Sequence, residues 1–389
     1  MLCTKEVLFF RDIPEGYRKN EKIMFAGVDF SGIQSFIYQD DSVESLCEIA
    51  SRSEYIQLLT LKINQELTEI LEDYYYTPIT VSSGKIQAII KNSKNARSIF
   101  EDHLKKVQET VFFENQGKIG VFYGITHVLL QNRVSGGYNG ALLALANTIE
   151  LNKYQSYNLY ASDPKYSGQS PYSVYSLLPK KESENSNSLD SIKLAAVKMD
   201  FDNLGHLFSS IGEADVKAGI SKTITETINK AVSGIKNIHL IYAGGDDIFF
   251  ICPFNDMIEV IQIVYLNIKK RVYEEPALED YKKAFGISCG ICLFHKDVPI
   301  IHYMDNAENE LLKSKDRGKN RITVENLSIS WDEWQKLYEI IHRYSHSLDS
   351  KKRDDLYSFK FRHYLKVLGE NSCDKKDRDF IRQLLTREQ

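Results

Sequence analysis

Apolar and polar positions follow two rhythms over residues 194–327. The short apolar runs "LAAVKMDF", "IHLIYA", "IFFIC", "AFGISCGICLF" and "RITVEN" have strand length. Between them, apolar residues recur every three or four positions, the period of a helix with one buried face. The first run ends in Asp200-Phe201-Asp202-Asn203, and the helix predicted after it carries Ile220, Ile224, Ile228 and Val232 at steps of four, with Gly234 placed to stop it. Gly-Gly-Asp-Asp, residues 244–247, separates the second and third runs and reads as a hairpin turn. Two further helices are predicted in "DMIEVIQIVYLNIKKRVYEE" and "PIIHYMDNAENELLKSKD", the latter with Pro299 in the first turn, where its missing N–H costs nothing. The order βαββαβαβ predicts an antiparallel-rich sheet covered by helices.

The pattern occurs twice. "VDFSGIQSF" (28–36) aligns with "MDFDNLGHL" (199–207), pairing Asp29 with Asp200 and Ser31 with Asp202. "VSSGKIQAII" (81–90) aligns with "YAGGDDIFFI" (242–251), pairing Lys85 with Asp246 and Ile86 with Asp247. "IGVFYGIT" (119–126) aligns with "FGISCGIC" (285–292), pairing Gly120 with Gly286 and Gly124 with Gly290. Three short matches in one order, at similar spacing, predict a duplicated domain. The fold class expected is therefore α+β: two ferredoxin-like, palm-type domains packed together, plus a C-terminal helical domain.

Composition narrows the function classes. At 389 residues, 43% hydrophobic and 26% charged, the chain is an ordinary globular one with room for several domains. A formal charge of -4 argues against a general nucleic-acid coat, though a local basic groove remains compatible with it. No apolar run has the length of a membrane span and the N-terminus lacks a signal-peptide core, so a cytoplasmic location is expected. The six cysteines are scattered, and the one C-x-x-C pair, Cys289 and Cys292, falls inside an expected strand, where residues three apart face opposite ways. Core thiols are expected there, not a zinc site.

The acids carry the chemistry. Both occur in the second copy, at the first strand end and at the hairpin, whereas the first copy has neither hairpin acid. Turn filler has no reason to gather in one copy. Asp200, Asp246 and Asp247 would form an oxygen-rich nest suited to Mg²⁺ or Mn²⁺, with the Phe201 carbonyl as a further ligand. Two such ions would bridge a triphosphate and activate a ribose hydroxyl for attack on the α-phosphorus. Gly244 and Gly245 leave room for a nucleotide against the backbone. "LLKSKDRGKN" supplies positive charge for phosphates, with Lys315 and Lys319 near the helix end.

These segments, "VDFSGIQSFIY", "KMDFDNLG", "YAGGDDIFFI", "SCGICLFHKDVPI" and "KSKDRGKN", resemble the large polymerase/cyclase subunit of type III CRISPR interference complexes, from about residue 22 to the C-terminus. The resemblance implies conversion of ATP to cyclic oligoadenylate, a second messenger made when the complex holds target RNA. It implies that Asp200, Asp246 and Asp247 are catalytic metal ligands together with Phe201, that Asn203, Gly244, Gly245, Lys315 and Lys319 contact nucleotide, and that Ser31, Gly32, Ile33 and Gln34 help bind a second ATP. The division it suggests is an N-terminal extension (1–21), a degenerate palm (22–164), a linker or loop region (165–193), a catalytic palm (194–327) and a helical domain (328–389). Many members begin with an HD nuclease domain, but none of the nine histidines precedes an Asp and about twenty residues precede the first palm strand, so a compact form without DNA cleavage is expected. No cysteine quartet is present for the zinc ribbon that members often carry.

In the last segment Trp331, Trp334, Leu337 and Ile341 recur at helical spacing, predicting a small bundle. By resemblance this bundle docks on other subunits of the complex, with guide and target RNA met indirectly; Lys351, Lys352 and Arg353 could touch RNA or a partner. Two other readings share the residues. Cyclic dinucleotide synthases of the GGDEF type use one palm per chain, so the duplication counts against them, and a silent scaffold would not be expected to keep the acids.

Overall fold

The computed structural model describes residues 6–38, 46–132, 139–160, 193–244, 247–295, 300–344, 360–371 and 374–386. Outside these lie Gly245 and Asp246 of the hairpin, Pro299, Lys351 to Arg353, and the expected linker over 165–193 except Lys193. The chain forms two compact units, Met1–Glu184 with Gly205–Lys222, and Asn185–Leu204 with Thr223–Gln389. The fold is α+β, with one sheet in each unit and helices at the C-terminus.

The first unit runs β1 (Val7–Phe10), β2 (Lys22–Ser31), α1 (Ile33–Tyr38), α2 (Leu46–Ile70), β3 (Thr77–Ser82), β4 (Lys85–Lys91), α3 (Lys94–Glu114), β5 (Gly120–Asn132) and α4 (Asn139–Tyr160). Its sheet has the order β1-β5-β2-β4-β3. Strand β1, within the stretch expected as an extension, adds a parallel edge to β5. Leu8, Phe25, Ile89, Val128, Leu130 and Leu145 form a core cluster that also takes in Ala214.

The second stretch of chain runs β6 (Lys193–Phe201), α5 (Leu204–Ser210), α6 (Ala214–Val232), β7 (His239–Gly244), β8 (Asp247–Pro253), α7 (Met257–Glu274), α8 (Glu279–Lys282), β9 (Ile287–His295), α9 (Ile300–Asp316), β10 (Arg321–Val324), β11 (Leu327–Ser330), α10 (Trp331–Tyr344), α11 (Phe361–Asn371) and α12 (Lys375–Thr386). Ile220, Ile224, Ile228 and Val232 are all buried, and Gly234 follows the helix with φ +79°. The sheet order is β11-β10-β9-β6-β8-β7. Strand β11 was not expected: Glu325 and Asn326, both at positive φ, make a two-residue turn that returns the chain along β10.

The duplication is visible in the topology. Strands β5-β2-β4-β3 repeat as β9-β6-β8-β7, and each set gains a parallel outer neighbour, β1 on β5 and β10 on β9. The Gly124 and Gly290 pairing holds: Gly124 faces Gly27 across β2, and Gly290 faces Lys198 across β6, with Asp29 and Asp200 two residues further on. Both glycines let a helix lie directly on the sheet. A Cβ on Gly124 would stand 2.3 Å from Thr148 Oγ1 of α4, and one on Gly290 would stand 2.1 Å from the Leu311 nitrogen of α9. At the hairpin the sequence alignment is one residue out. Asp29 is opposite Lys85, and Asp200 is opposite Asp247, so Lys85 is the counterpart of Asp247 and not of Asp246.

In α10 the buried stripe is Trp331, Trp334, Leu337 and Ile340, with Ile340 in place of the expected Ile341. Trp331 stacks on Tyr265 and donates its indole N–H to the Ile287 carbonyl at 2.7 Å, which ties α10 to the start of β9. Cys252 and Cys289 are buried thiols and Cys292 is half-buried, as expected of core cysteines.

Candidate functional site

The site lies where β6 ends beside the β7–β8 hairpin. β6 is central, so β8 pairs on one side and β9 on the other, placing Asp200 directly opposite both Asp247 and Ser288. Cross-strand partners point to the same face, their Cβ atoms roughly 4.5–5.5 Å apart. Two like charges so placed repel each other unless a cation sits between or beside them. Here one does: Lys315 Nζ lies 2.9 Å from Asp200 Oδ1.

Several local features fix Lys315 there. Gly290 admits α9 to the sheet, and the buried Ser314 hydroxyl donates to the Cys289 carbonyl at 2.7 Å and meets Thr323 Oγ1 at 2.6 Å. One turn beyond, Gly318 at φ +110° ends the helix, and the Lys319 N–H returns to the Ser314 carbonyl. Burial alone would lower the Lys315 pKa. The hydrogen bond and charge of Asp200, with the charges of Asp247 and Glu308, outweigh burial and raise it, so the ammonium is firmly protonated. Glu308, two turns back on α9, takes Lys198, two residues back on β6, as its ion-pair partner. The periods of strand and helix predict such a pairing only once the two elements are known to pack.

A second cluster adjoins the first. Asp202 is 2% exposed and its carboxylate accepts from the Ser288 hydroxyl and the Asn320 N–H, each at 2.8 Å. Its own N–H donates to the Gly286 carbonyl, and its carbonyl accepts from the Tyr281 hydroxyl at 2.6 Å. This node ties the end of β6 to the start of β9 and to the loop after α9. Sequence reasoning did not single it out as a hub, because its partners lie about eighty to a hundred and twenty residues away. It brings two predicted nucleotide contacts together: Lys319 Nζ lies 2.9 Å from Asn203 Oδ1, and Asn203 Nδ2 donates to the Ala284 carbonyl. Asn203 and Lys319 both sit at positive φ.

Of the remaining expected residues, Gly244 is opposite Asp247 at the hairpin end, and Phe201 is buried with its ring edge-to-face with Phe285. Gly245 and Asp246 lie outside the described residues. Ser31, Gly32, Ile33 and Gln34 fall in the first unit, at the end of β2 and the start of α1. Gly32, at φ +83°, is the repeat counterpart of Asn203, and a Cβ there would stand 2.4 Å from the Lys118 carbonyl oxygen. The first unit answers the acid pair with opposite charges. Asp29 is pushed above the usual carboxylate range by burial, which the charges of Lys85 and Lys153 partly offset.

Among the described residues no group of three or more metal-ligating side chains is assembled. The described part of the second-unit site nonetheless suits a divalent cation. Two carboxylates share one face, and a cation already stands on one of them in the form of the Lys315 ammonium.

Two family models match the chain: the second palm domain of Cas10/Cmr2 over residues 193–323, and domain B of the Csm1 subunit over residues 22–165. No curated protein matches it at a comparable level. Among solved structures, Csm1 of T. onnurineus has 19% identity and a TM-score of 0.63, covering 85% of this chain and 57% of its own. A Csm1–Csm4 cassette in complex with cA4 has 19% identity and a TM-score of 0.62 over 84% of this chain and 59% of its own. A Csm1–Csm4 cassette in complex with one ATP has 20% identity and a TM-score of 0.60 over 86% of this chain and 60% of its own. The chain thus spans about three fifths of the length of these relatives, and at such identities the likeness is one of fold. With a family model seated on each of its two sheets, the chain belongs to the Cas10/Csm1 family of type III CRISPR subunits.

Proposed function

We propose that the second unit is a nucleotidyltransferase centre that joins ATP into cyclic oligoadenylate, by attack of a ribose 3′-hydroxyl on an α-phosphate, which breaks the α–β phosphoanhydride bond and releases pyrophosphate and the hydroxyl proton. The observation that carries this reading is the opposition of Asp200 and Asp247 in register, with Lys315 at 2.9 Å from the first. The solved relatives bound to ATP and to cA4 support it. Asp200, Asp247, Asp246 and the Phe201 carbonyl would hold Mg²⁺ or Mn²⁺, whose chemistry at this place is to lower the pKa of the attacking hydroxyl and to neutralise phosphate charge. Lys315 and Lys319 supply positive charge to the phosphates, and Asn203 holds Lys319 at the mouth of the site. Gly244, buried beside the Tyr242 ring, would meet the nucleotide through its backbone. In the first unit, Ser31 to Gln34 would hold the second ATP, where Lys85 in place of an acid makes a metal pair unnecessary. Partner subunits would engage the C-terminal helices, in keeping with the Csm1–Csm4 pairing of the relatives, and RNA would act through those partners.

The test is to incubate the purified chain with ATP and Mn²⁺ or Mg²⁺, alone and with partner subunits and target RNA, and to identify products by mass spectrometry. Cyclic oligoadenylate is expected, and Asp200→Asn or Asp247→Asn should each lower its rate by more than about 100-fold, beyond the loss usual for residues one shell from a metal. A cyclic dinucleotide would identify a different cyclase, and absence of any adenylate product under all conditions would leave only a scaffold.

A further inference from the structure

Lys315 does more than wait for phosphate: it occupies Asp200. Its ammonium is 2.9 Å from Asp200 Oδ1, on the face that Asp247 shares across the β6–β8 register. A divalent cation entering between these carboxylates must compete with a charge that is already bonded to one of them. The place of α9 on the sheet does not depend on that bond. The helix is fixed independently by the close approach at Gly290, by Ser314 on the Cys289 carbonyl, and by the ion pair of Lys198 with Glu308. Lys315 can therefore leave Asp200 by side-chain rotation alone, its side chain being about one third exposed, without any movement of the fold. Displaced, it needs a new anion: Asp200 and Asp247 go to the ion, and among the described residues Glu308 is paired with Lys198 and Glu310 with Lys313. A nucleotide triphosphate would supply that anion.

We propose that Lys315 is a built-in counter-ion that makes divalent-metal binding depend on nucleotide, disfavouring the bare ion and admitting it together with a triphosphate that receives the displaced ammonium. This rests on the metal-dependent reading above. Its consequence is a coupling between metal and nucleotide that must be reciprocal, each raising the affinity of the other by the same factor. The centre would then stay unloaded by the free metal pool until substrate arrives. Lys315 acts here as a positioning and selectivity residue, through Asp200, before it touches any phosphate.

The experiment measures Mn²⁺ affinity by electron paramagnetic resonance and by calorimetry, with and without a non-hydrolysable ATP analogue, on the intact chain and on Lys315→Gln. Lys313→Gln removes the same charge from the same helix two residues away and serves as the control, and circular dichroism checks that each variant folds. Lys315→Gln is expected to bind Mn²⁺ alone at least about five-fold more tightly than the parent chain, and to lose a similar factor of the enhancement that the analogue confers. Lys313→Gln should change neither by more than about two-fold, because the partners of Lys313 are Glu310 and Asn326 and not Asp200. Unchanged or weaker Mn²⁺ binding by Lys315→Gln overturns the proposal, as does an equal effect from Lys313→Gln. An Asp200→Asn arm separates this failure from that of the underlying reading. If Asp200→Asn abolishes Mn²⁺ binding while Lys315→Gln leaves it unaltered, only the counter-ion role is lost; if no Mn²⁺ binding depends on Asp200, both fall.

Discussion

At the scale of single residues, the site separates two kinds of aspartate that lie two positions apart. Asp200 meets a partly exposed side-chain ammonium, whereas Asp202 is enclosed and satisfied by the Ser288 hydroxyl and the Asn320 N–H. The first arrangement suits a ligand that changes partners, the second a structural hub. Replacing Asp202 by Ala would strand the buried Ser288 hydroxyl, at a cost of roughly 1–3 kcal/mol, and free the part-buried Asn320 N–H, at a smaller cost. Asp202→Ala is therefore expected to lower stability by about 1–4 kcal/mol in urea denaturation. It should also loosen the 318–320 loop, seen as faster amide exchange there than in β7. A variant that keeps parental stability would show that this node is dispensable. Asp200→Asn should cost little stability by comparison, because it relieves the repulsion with Asp247 as it gives up the Lys315 bond.

At the scale of elements, the decisive contact is that of a helix on a glycine. Gly290 has no Cβ, and the Leu311 nitrogen and Ala307 oxygen of α9 occupy the space where one would be, at 2.1 and 2.2 Å. These are backbone atoms, which cannot swing aside, so Gly290→Ala must push α9 off the sheet. An overpacking cost of about 1–3 kcal/mol or more is expected in denaturant titration, with loss of the proposed cyclase activity from displacement of Lys315 by even an ångström. Normal stability and activity in Gly290→Ala would refute the role given to this contact. The strands and helices around it were legible from the chain: "LAAVKMDF" and "AFGISCGICLF" are apolar enough to be central strands, and the steps of four in α6 give its buried face directly. What escaped had weak or ambiguous signals. β11 is four residues, half of them serine, running straight into a helix. Ile340 and Ile341 are the same residue type, so composition cannot say whether the stripe advances by three or by four. The hairpin offset arose because adjacent aspartates fit either alignment, and only the register across β6 distinguishes them. The Lys315 pair joins residues 115 positions apart, and no local pattern encodes that.

At the scale of the whole molecule, sequence order and spatial grouping disagree over one segment. Residues Gly205–Lys222 follow the first strand of the second sheet but belong by their contacts to the first unit. Ala214, fully buried, joins the cluster of Leu8, Phe10, Phe25 and Leu130, and the Asp215 carboxylate accepts the Arg11 N–H at 3.0 Å. The first core is thus completed by residues encoded after β6, so the N-terminal stretch does not carry the whole first unit by itself. The duplicated sheets look like separable copies in sequence, yet the chain binds the integrity of the first to the passage of the second. A bulky charge at position 214 should expose this. Ala214→Arg cannot fit and cannot be paired within an apolar cluster, so a loss of at least about 2 kcal/mol is expected. Because unfolding follows contiguous units, hydrogen exchange should accelerate in β1 and β5, far away in sequence, more than in β8 and β9, which lie closer. If β8 and β9 lose protection first, the segment's allegiance is to the second unit, and the first core does not depend on it.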